Sequence, residues 1–322
     1  MIAVDPCFSI TQCFDNGRWV ELCKFPNIPS QEVFAGHHLT VANGRLYLAG
    51  GSHLDEESDE ESDETVDLNH FYQYDRLHNK WIELSSMITR RGGFTMVHLN
   101  DHIYAIGGKR LRQFIKAERY DLLTGEWEAV ANLPVALTAP SAVAYNGKIL
   151  VYGVRRDRND LRTVYGSLLA YDPESDTWTQ LLTEIVEDPF PSSMYDQRYI
   201  KFAPVLVVEN DECYRVKYVF NVAHVNRLIL QLDNTAPYTG QLCNPHTPSD
   251  QSIVSRDRHV GTFCINKRLF LNLHGYIHRL EIILENVYSL PSDYDLSGWA
   301  GINEVGLAPA CVNFTFDKYR LL

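Results

Sequence analysis

An apolar run ending in a Gly-Gly doublet occurs twice in this chain, as Leu46-Tyr47-Leu48-Ala49-Gly50-Gly51 and as Ile103-Tyr104-Ala105-Ile106-Gly107-Gly108. A third, worn copy reads Leu150-Val151-Tyr152-Gly153-Val154. Each is followed by a Tyr-Asp pair and then a Trp: Tyr74-Asp75 and Trp81, Tyr120-Asp121 and Trp127, Tyr171-Asp172 and Trp178. The Trp residues are 46 and 51 positions apart. A period of that length is the mark of an array or propeller, in which one unit cannot bury its apolar face alone and stacks on the next.

Within a unit the pattern is four short antiparallel strands. In the first, His38 to Ala42 alternates, Asn43-Gly44 is a two-residue hairpin turn, and Arg45 to Ala49 is apolar enough to be buried on both faces. Phe71 to Tyr74 and Trp81 to Leu84 complete it. Four strands per unit is the blade of a β-propeller. The second unit turns at Asn100-Asp101 and the third at Asn146-Gly147. Beyond residue 182 the signature fades. A fourth unit is read as Ala203 to Val208, Lys217 to Val222, Arg227 to Leu232 and a strand near Gln241. A fifth is read as His259 to Ile265, Arg268 to Leu273, Tyr276 to Ile283 and Asn286 to Leu290. Phe14-Asp15 followed by Trp19 is the second half of a unit without its first half, and Pro309 to Phe316 is a lone first strand. The expectation is an all-β, six-bladed propeller of four antiparallel strands per blade, closed by N- and C-terminal strands. It is a single domain over 1–322, with blades near 36–84, 93–131, 140–182, 202–244, 259–290, and 308–322 plus 1–25.

The doublet glycines allow positive φ and close approach of inner strands. The Tyr and Trp supply buried area between blades, and the Asp accepts from a turn amide. These are blade-building residues rather than site residues.

The net charge is −12, but nine acidic residues and no basic one lie between Asp55 and Asp67. Without those nine it would be −3. From Gly51 to Tyr74 is 23 residues, against 12 from Gly108 to Tyr120. The excess matches the acidic run, so 55–67 reads as an inserted loop between the second and third strands of blade one. Such a block repels itself and stays solvated. Ser58 and Ser62 each precede acidic residues and are candidate phosphorylation sites for an acidophilic kinase. An acidic chain argues against a nucleic-acid partner. No apolar run reaches the ~18–20 residues that span a bilayer, and no secretory signal opens the chain. Seven cysteines, an odd number without C-x-x-C spacing, make neither a disulfide framework nor a zinc site and fit a reducing compartment, cytoplasmic or nuclear.

The recurring Gly-Gly, Tyr-Asp and Trp resemble the Kelch repeat, most closely over 36–182. The resemblance implies a Kelch β-propeller like that of the BTB–Kelch ubiquitin ligase adaptors, in which BTB and BACK domains bind a cullin and the propeller captures a substrate. This chain has no BTB or BACK pattern and opens inside a blade, so it reads as the propeller of a longer protein. The resemblance further implies that a substrate peptide sits on the face made by the second-to-third-strand loops and the blade-to-blade loops. Matching positions are Lys109, Arg110 and Arg112 in blade two, Arg155, Arg156 and Arg158 in blade three, and Ser52, His53, His224 and Asn226 in blades one and four. The blade-to-blade loops add Arg90 and Arg91, then Arg256, Arg258 and His259, while Thr138-Ala139-Pro140 contributes no cation. Arginines around a propeller mouth would focus a positive field and hold carboxylates or phosphates bidentately. The expected ligand is an acidic, phosphorylated or C-terminal peptide. The acidic insertion is then a candidate tethered competitor for that mouth.

An enzyme needs metal ligands or an acid–base pair converging on the axis. Twelve His residues form no H-E-x-x-H, and the nearest clusters are His37-His38 and His274 with His278. The reading is a binding module without catalytic residues, metal or cofactor. Its rival is a cytoskeletal, actin-binding or scaffold Kelch protein with no ligase role.

Overall fold

The computed structural model describes residues 2–5, 10–15, 18–24, 35–54, 65–108, 115–156, 163–186, 205–209, 212–219, 222–229, 241–243, 259–265, 268–273, 276–283, 286–290 and 310–312. Every regular element among them is a β-strand. Blade one joins β4 (Ala35–Ala42), β5 (Arg45–Leu54), β7 (Phe71–Asp75) and β8 (Lys80–Glu83), with β6 (Thr65–Asp67) paired to the far end of β5. Blade two is β9 (Thr95–Leu99), β10 (His102–Ile106), β11 (Ala117–Asp121) and β12 (Trp127–Val130). Blade three is β13 (Thr138–Tyr145), β14 (Lys148–Arg156), β15 (Val164–Asp172) and β16 (Thr177–Val186). Blade four is β17 (Val205–Glu209), β18 (Glu212–Val219), β19 (Val222–Ile229) and β20 (Gln241–Cys243). Blade five is β21 (His259–Ile265), β22 (Arg268–Leu273), β23 (Tyr276–Ile283) and β24 (Asn286–Leu290). A further sheet has the order β25-β1-β2-β3, from β25 (Ala310–Val312), β1 (Ile2–Asp5), β2 (Ile10–Asp15) and β3 (Arg18–Lys24).

First strands of consecutive sheets are neighbours: β4 lies beside β9, β9 beside β13, β13 beside β17 and β17 beside β21. β25 lies beside both β21 and β4. A strand walled by the next blade on each side is buried on both faces, so β9 and β10 read as near-continuous apolar runs rather than alternations. One apolar cluster joins Tyr47, Ala49 and Phe71 of blade one to Phe94, Met96, Ile103 and Tyr120 of blade two. A second joins Tyr104 and Ile106 to Val151, Leu169 and Tyr171 of blade three. A third joins Tyr152, Val154 and Leu168 to Leu206 and Cys213 of blade four.

The turns explain the repeated polar residues. Asn43-Gly44 and Asn146-Gly147 carry positive φ at both residues, 48° and 70°, 47° and 71°, as a turn matched to strand twist requires. At the other hairpin the Asp oxygen accepts from amides two and three residues on: Leu77 and His78 at Asp75, Leu123 and Thr124 at Asp121. The residue two before each Trp sits in the left-handed region, as Asn79, Gly125 or Asp176. The preceding Tyr hydroxyl donates to that residue where it has a side chain, Tyr74 to Asn79 at 2.6 Å and Tyr171 to Asp176 at 2.7 Å. The Trp then bridges blades: Trp127 Nε1 donates to Ser85 O and Trp178 Nε1 to Ala131 O, each at 2.8 Å.

Three expectations are corrected. In blade four the second and third strands begin five residues and end three residues earlier than the alternation suggests, so His224 and Asn226 are in β19, opposite Lys217 and Arg215, and not in a loop. In blade three the strands outrun the expected 140–182 at both ends, and β14, β15 and β16 continue together to Arg156, Val164 and Val186. In blade one, residues 65–67 are not loop. Leu54 pairs with Thr65, His53 with Val66 and Ser52 with Asp67, and the buried Ser52 hydroxyl donates to the buried Asp67 carboxylate at 2.6 Å. The insertion proper is therefore 55–64, carried on a short β-stem.

Candidate functional site: one end of the blades

In an antiparallel four-stranded blade, the second-to-third connection lies at the same end as the entry to the first strand and the exit from the fourth. Among the described residues that end collects the far end of β5 with β6, residues 115–116 and 163, and the blade-to-blade stretches 84–94 and 131–137. Of the candidate cations there, Lys109, Arg110, Arg112, Arg158, Arg256 and Arg258 lie outside the described residues, as do Ser58 and Ser62. Arg156 and His259 are placed by backbone, at the end of β14 and the start of β21.

Arg90 and Arg91 are adjacent and have opposite fates. Arg90 is exposed. Arg91 is 0% exposed and its guanidinium is fully engaged. Its Nε and one Nη donate to Glu118 Oε1 at 2.9 and 2.8 Å, and the other Nη donates to Gly107 O at 2.5 Å and Lys116 O at 2.9 Å. Glu118, 1% exposed, also accepts from the Ile88 and Thr89 amides at 2.7 and 3.2 Å. Burial lowers the Arg91 pKa, against the pull of Glu118. A buried charge so completely paired fastens the connection onto blade two. Arg91 therefore leaves the set of ligand-facing candidates.

The space around it is closed by glycine. A Cβ at Gly50 would sit 2.5 Å from Arg91 O and 2.6 Å from a Phe94 ring carbon, and its φ is +60°. Close approach here is what the doublet permits.

In blade three, Arg155 is half-buried at the loop end. Its guanidinium carbon lies 4.8 Å from the centroid of Tyr165, the residue directly opposite on β15. Arg155 Nε and the hydroxyl of Ser167, which is 0% exposed, are both buried, and neither has a hydrogen-bond partner among the described residues. Sequence reasoning missed Tyr165 and Ser167. Both precede the Tyr171 anchor at even spacing, which is a signal for the same sheet face only once β15 is known to extend back to Val164.

His37 and His38, at the loop end of β4, are held neutral. Burial pushes His37 down to about 3, helped by its neighbour, and His38 down to about 4. Among the described residues no group of three or more His, Cys, Asp or Glu is placed to hold a metal ion, and no helix is long and apolar enough to cross a membrane.

Sheets of four antiparallel strands, their first strands side by side and their apolar faces stacked blade on blade, define a β-propeller. The Kelch motif matches residues 90–134, which is blade two with the connection carrying Arg91. Blade two thus carries a Kelch motif. It is 32% identical over 179 residues to human Kelch repeat and BTB domain-containing protein 8, covering 54% of this chain and 26% of that one. It is 29% identical over 116 residues to zebrafish Kelch-like protein 15, covering 36% of this chain and 18% of that one. The chain thus spans about a quarter or less of the length of these curated relatives. The solved structure titled "Structure of YjhT" superposes with a TM-score of 0.56 at 13% identity, over 87% of this chain and 91% of that one, a likeness of fold alone.

Proposed function

We propose that this domain is the substrate-recognition propeller of a cullin-RING ubiquitin ligase adaptor, and that it binds an acidic, phosphorylated or C-terminal peptide segment at the loop end of its blades. The observation that carries this is the concentration of cations in the connections of one end. Arg90 stands exposed there, Arg155 is stacked but not hydrogen-bonded through its Nε, and the connections before β11, β15 and β21 add Lys109, Arg110, Arg112, Arg158, Arg256 and Arg258 by sequence, beside Arg156 at the end of β14 and His259 at the start of β21. The kinship with Kelch repeat and BTB domain-containing proteins supports the ligase assignment. In this reading the chain is a binding module and not an enzyme, it has cytoplasmic or nuclear partners, and cullin contact is made by BTB and BACK domains outside residues 1–322. Six blades form the ring, with the β25-β1-β2-β3 sheet as its joint. The 55–64 segment competes in cis for the cationic end, and phosphorylation of Ser58 and Ser62 strengthens that competition by about −1.5 to −2 charges each.

The test is an affinity capture from cell extract. Wild-type chain should retain a protein that is lost when Arg155, Arg156 and Arg158 are changed to Glu, and the full-length gene product should co-precipitate a cullin. A retained partner insensitive to the charge reversal would move the binding site elsewhere. Co-sedimentation with actin filaments and no cullin would favour the cytoskeletal reading.

A further inference from the structure

The end of the blades opposite the loop end is made of hairpin turns, an inner one between first and second strands and an outer one between third and fourth. In blades one and two these turns match position by position. Asn43-Gly44-Arg45 corresponds to Asn100-Asp101-His102, and Asp75 to Lys80 corresponds to Asp121 to Glu126. At one matched position of the outer turns stand two leucines, Leu77 at 79% exposed and Leu123 at 82%. A single exposed leucine is ordinary. Here the turn itself shows that leucine is not required. At 77 and 123 it uses only the amide, which donates to the Asp two residues before, and in blade three the exposed Glu174 makes the same bond to Asp172 at 3.0 Å. Two consecutive blades therefore hold in water an apolar side chain for which their own turns have no use.

The charges beside the two leucines are opposite. Blade one exposes Arg76 and Lys80 on either side of Leu77, and Arg45 at its inner turn. Its one acid there, Asp75, is committed to the amides of Leu77 and His78 and to the His78 ring at 2.6 Å. Blade two exposes Glu126 near Leu123 and Asp101 at its inner turn, and has no Lys or Arg at 100–102 or 121–127. The two corners are held in fixed relation. β4 lies beside β9, the Phe71 and Trp127 rings meet edge-on at 5.0 Å, and the Ser85 hydroxyl donates to Gly125 O at 2.7 Å. A basic corner and an acidic corner, each around a leucine, thus form one rigid pair. Such a pair is complementary to itself. A twofold axis lying in the turn face, along the seam between blades one and two, sets the blade-one turns of each copy against the blade-two turns of the other. It keeps inner turns on inner turns and outer on outer, so that the leucine corners meet, Arg76 and Lys80 come to Glu126, and Arg45 comes to Asp101, each contact being made twice.

We propose that the turn face of blades one and two is a self-association surface that takes a second copy of this chain in a twofold pair, with Leu77 and Leu123 as its apolar centre and Lys80 with Glu126 setting its register. The surface lies at the opposite end from the loops of the peptide-binding reading and stands independently of it. A contact of a few turns makes a transient pair rather than an obligate one.

The test is sedimentation equilibrium of the full chain from about 10 μM to about 1 mM, the range in which a weak pair is seen. The wild-type chain should show a monomer–dimer equilibrium. Leu123→Asp, Lys80→Glu and Glu126→Lys should each weaken it about tenfold or more, the first by placing a charge in the apolar centre and the others by setting like charges opposite each other. All three side chains are exposed, so melting temperatures should not change. An equimolar mixture of Lys80→Glu with Glu126→Lys should recover the wild-type dimer, because both ion pairs of the twofold form again between the two variants. Replacing residues 55–64 with Gly and Ser should leave association unchanged. A wild-type chain that stays monomeric to about 1 mM would overturn the proposal, as would association indifferent to the three substitutions. Charge variants that stay monomeric when mixed would overturn the pairing of blade one with blade two. Assemblies that grow past two chains would replace the twofold with a head-to-tail contact, and association lost with the 55–64 replacement would assign it to the acidic segment instead.

Discussion

Replacing Arg91 with Ala would leave the Glu118 carboxylate buried without its cation, at a cost of about 3–5 kcal/mol in a denaturant melt. The expected behaviour departs from that of a simple buried ion pair, for which a matched apolar replacement can be neutral. Here the pair also satisfies Gly107 O, Lys116 O and the Ile88 and Thr89 amides. The double variant Arg91→Met with Glu118→Leu should therefore remain destabilised, because Gly107 O and the Ile88 and Thr89 amides lose these partners, while Lys116 O keeps the Gly107 amide. A wild-type midpoint in that double variant would show that those backbone bonds contribute nothing. From sequence alone Arg90 and Arg91 are equivalent members of a basic loop. What separates them is which one turns inward, and that depends on a glutamate 27 residues later on the next blade. The His37 and His38 pair belongs to the same scale. Both are lowered in the folded state, to about 3 and about 4. Above about pH 6.5 they are neutral folded or unfolded and contribute no pH dependence. As pH falls below that, the unfolded chain takes up protons that the folded chain refuses, so stability falls, by up to about 1.4 kcal/mol per pH unit for each ring, until pH approaches 4 and 3. Melts between pH 7.5 and 4.5 should show that slope, and His37→Gln should reduce it. An unchanged slope would mean that the ring is not held neutral.

Asp176 shows how one blade is tied to the next by a turn. Its Oδ1 accepts from the Ala131 amide at 2.9 Å and from the Tyr171 hydroxyl at 2.7 Å, and its φ is +51°. Asn keeps an acceptor and tolerates that backbone, so Asp176→Asn should change stability little. Asp176→Ala loses both bonds and strains the turn, and should cost about 2 kcal/mol, read as a shift in denaturant midpoint. If Ala and Asn behaved alike, the link from the turn to the connection at Ala131 would carry no energy. This turn was legible in outline, since Tyr-Asp and Trp at fixed spacing announce a hairpin corner. The role of position 176 was not, because Asn, Gly and Asp share only a tolerance for positive φ and not a chemistry. Blade four lacks Tyr-Asp, Trp and Gly-Gly altogether. Its long β-branched runs fit several registers, which is why the pattern alone sets its second and third strands three to five residues late. The extension of blade three was hidden for a related reason. Arg155 and Arg156 look like loop residues by composition, and only pairing with Tyr165 and Val164 makes them strand.

Six sheets would close into a ring only if the two ends of the chain meet, and the pairing at that joint makes the closure testable. Ile2 lies opposite Val312, Ala3 opposite Cys311 and Val4 opposite Ala310, while β25 also lies beside β4 and β21. Sequence pattern showed a half-unit at one end and a lone strand at the other, but three residues of strand leave no periodicity from which a register could be read. Directly opposed residues of an antiparallel pair have Cα atoms about 4.5–5.5 Å apart, which is within the range a disulfide spans. Ala3→Cys should therefore cross-link to Cys311 under mild oxidation, and the product should be identified by mapping the joined peptides after proteolysis. Because the bond closes nearly the whole chain into one loop, it should raise stability by about 5–6 kcal/mol in the chain-entropy account, seen as a reductant-sensitive rise in melting temperature. Cross-linking to a different cysteine, or none, would mean that the terminal strand does not complete the sheet with β1, and the blades would then form an open arc.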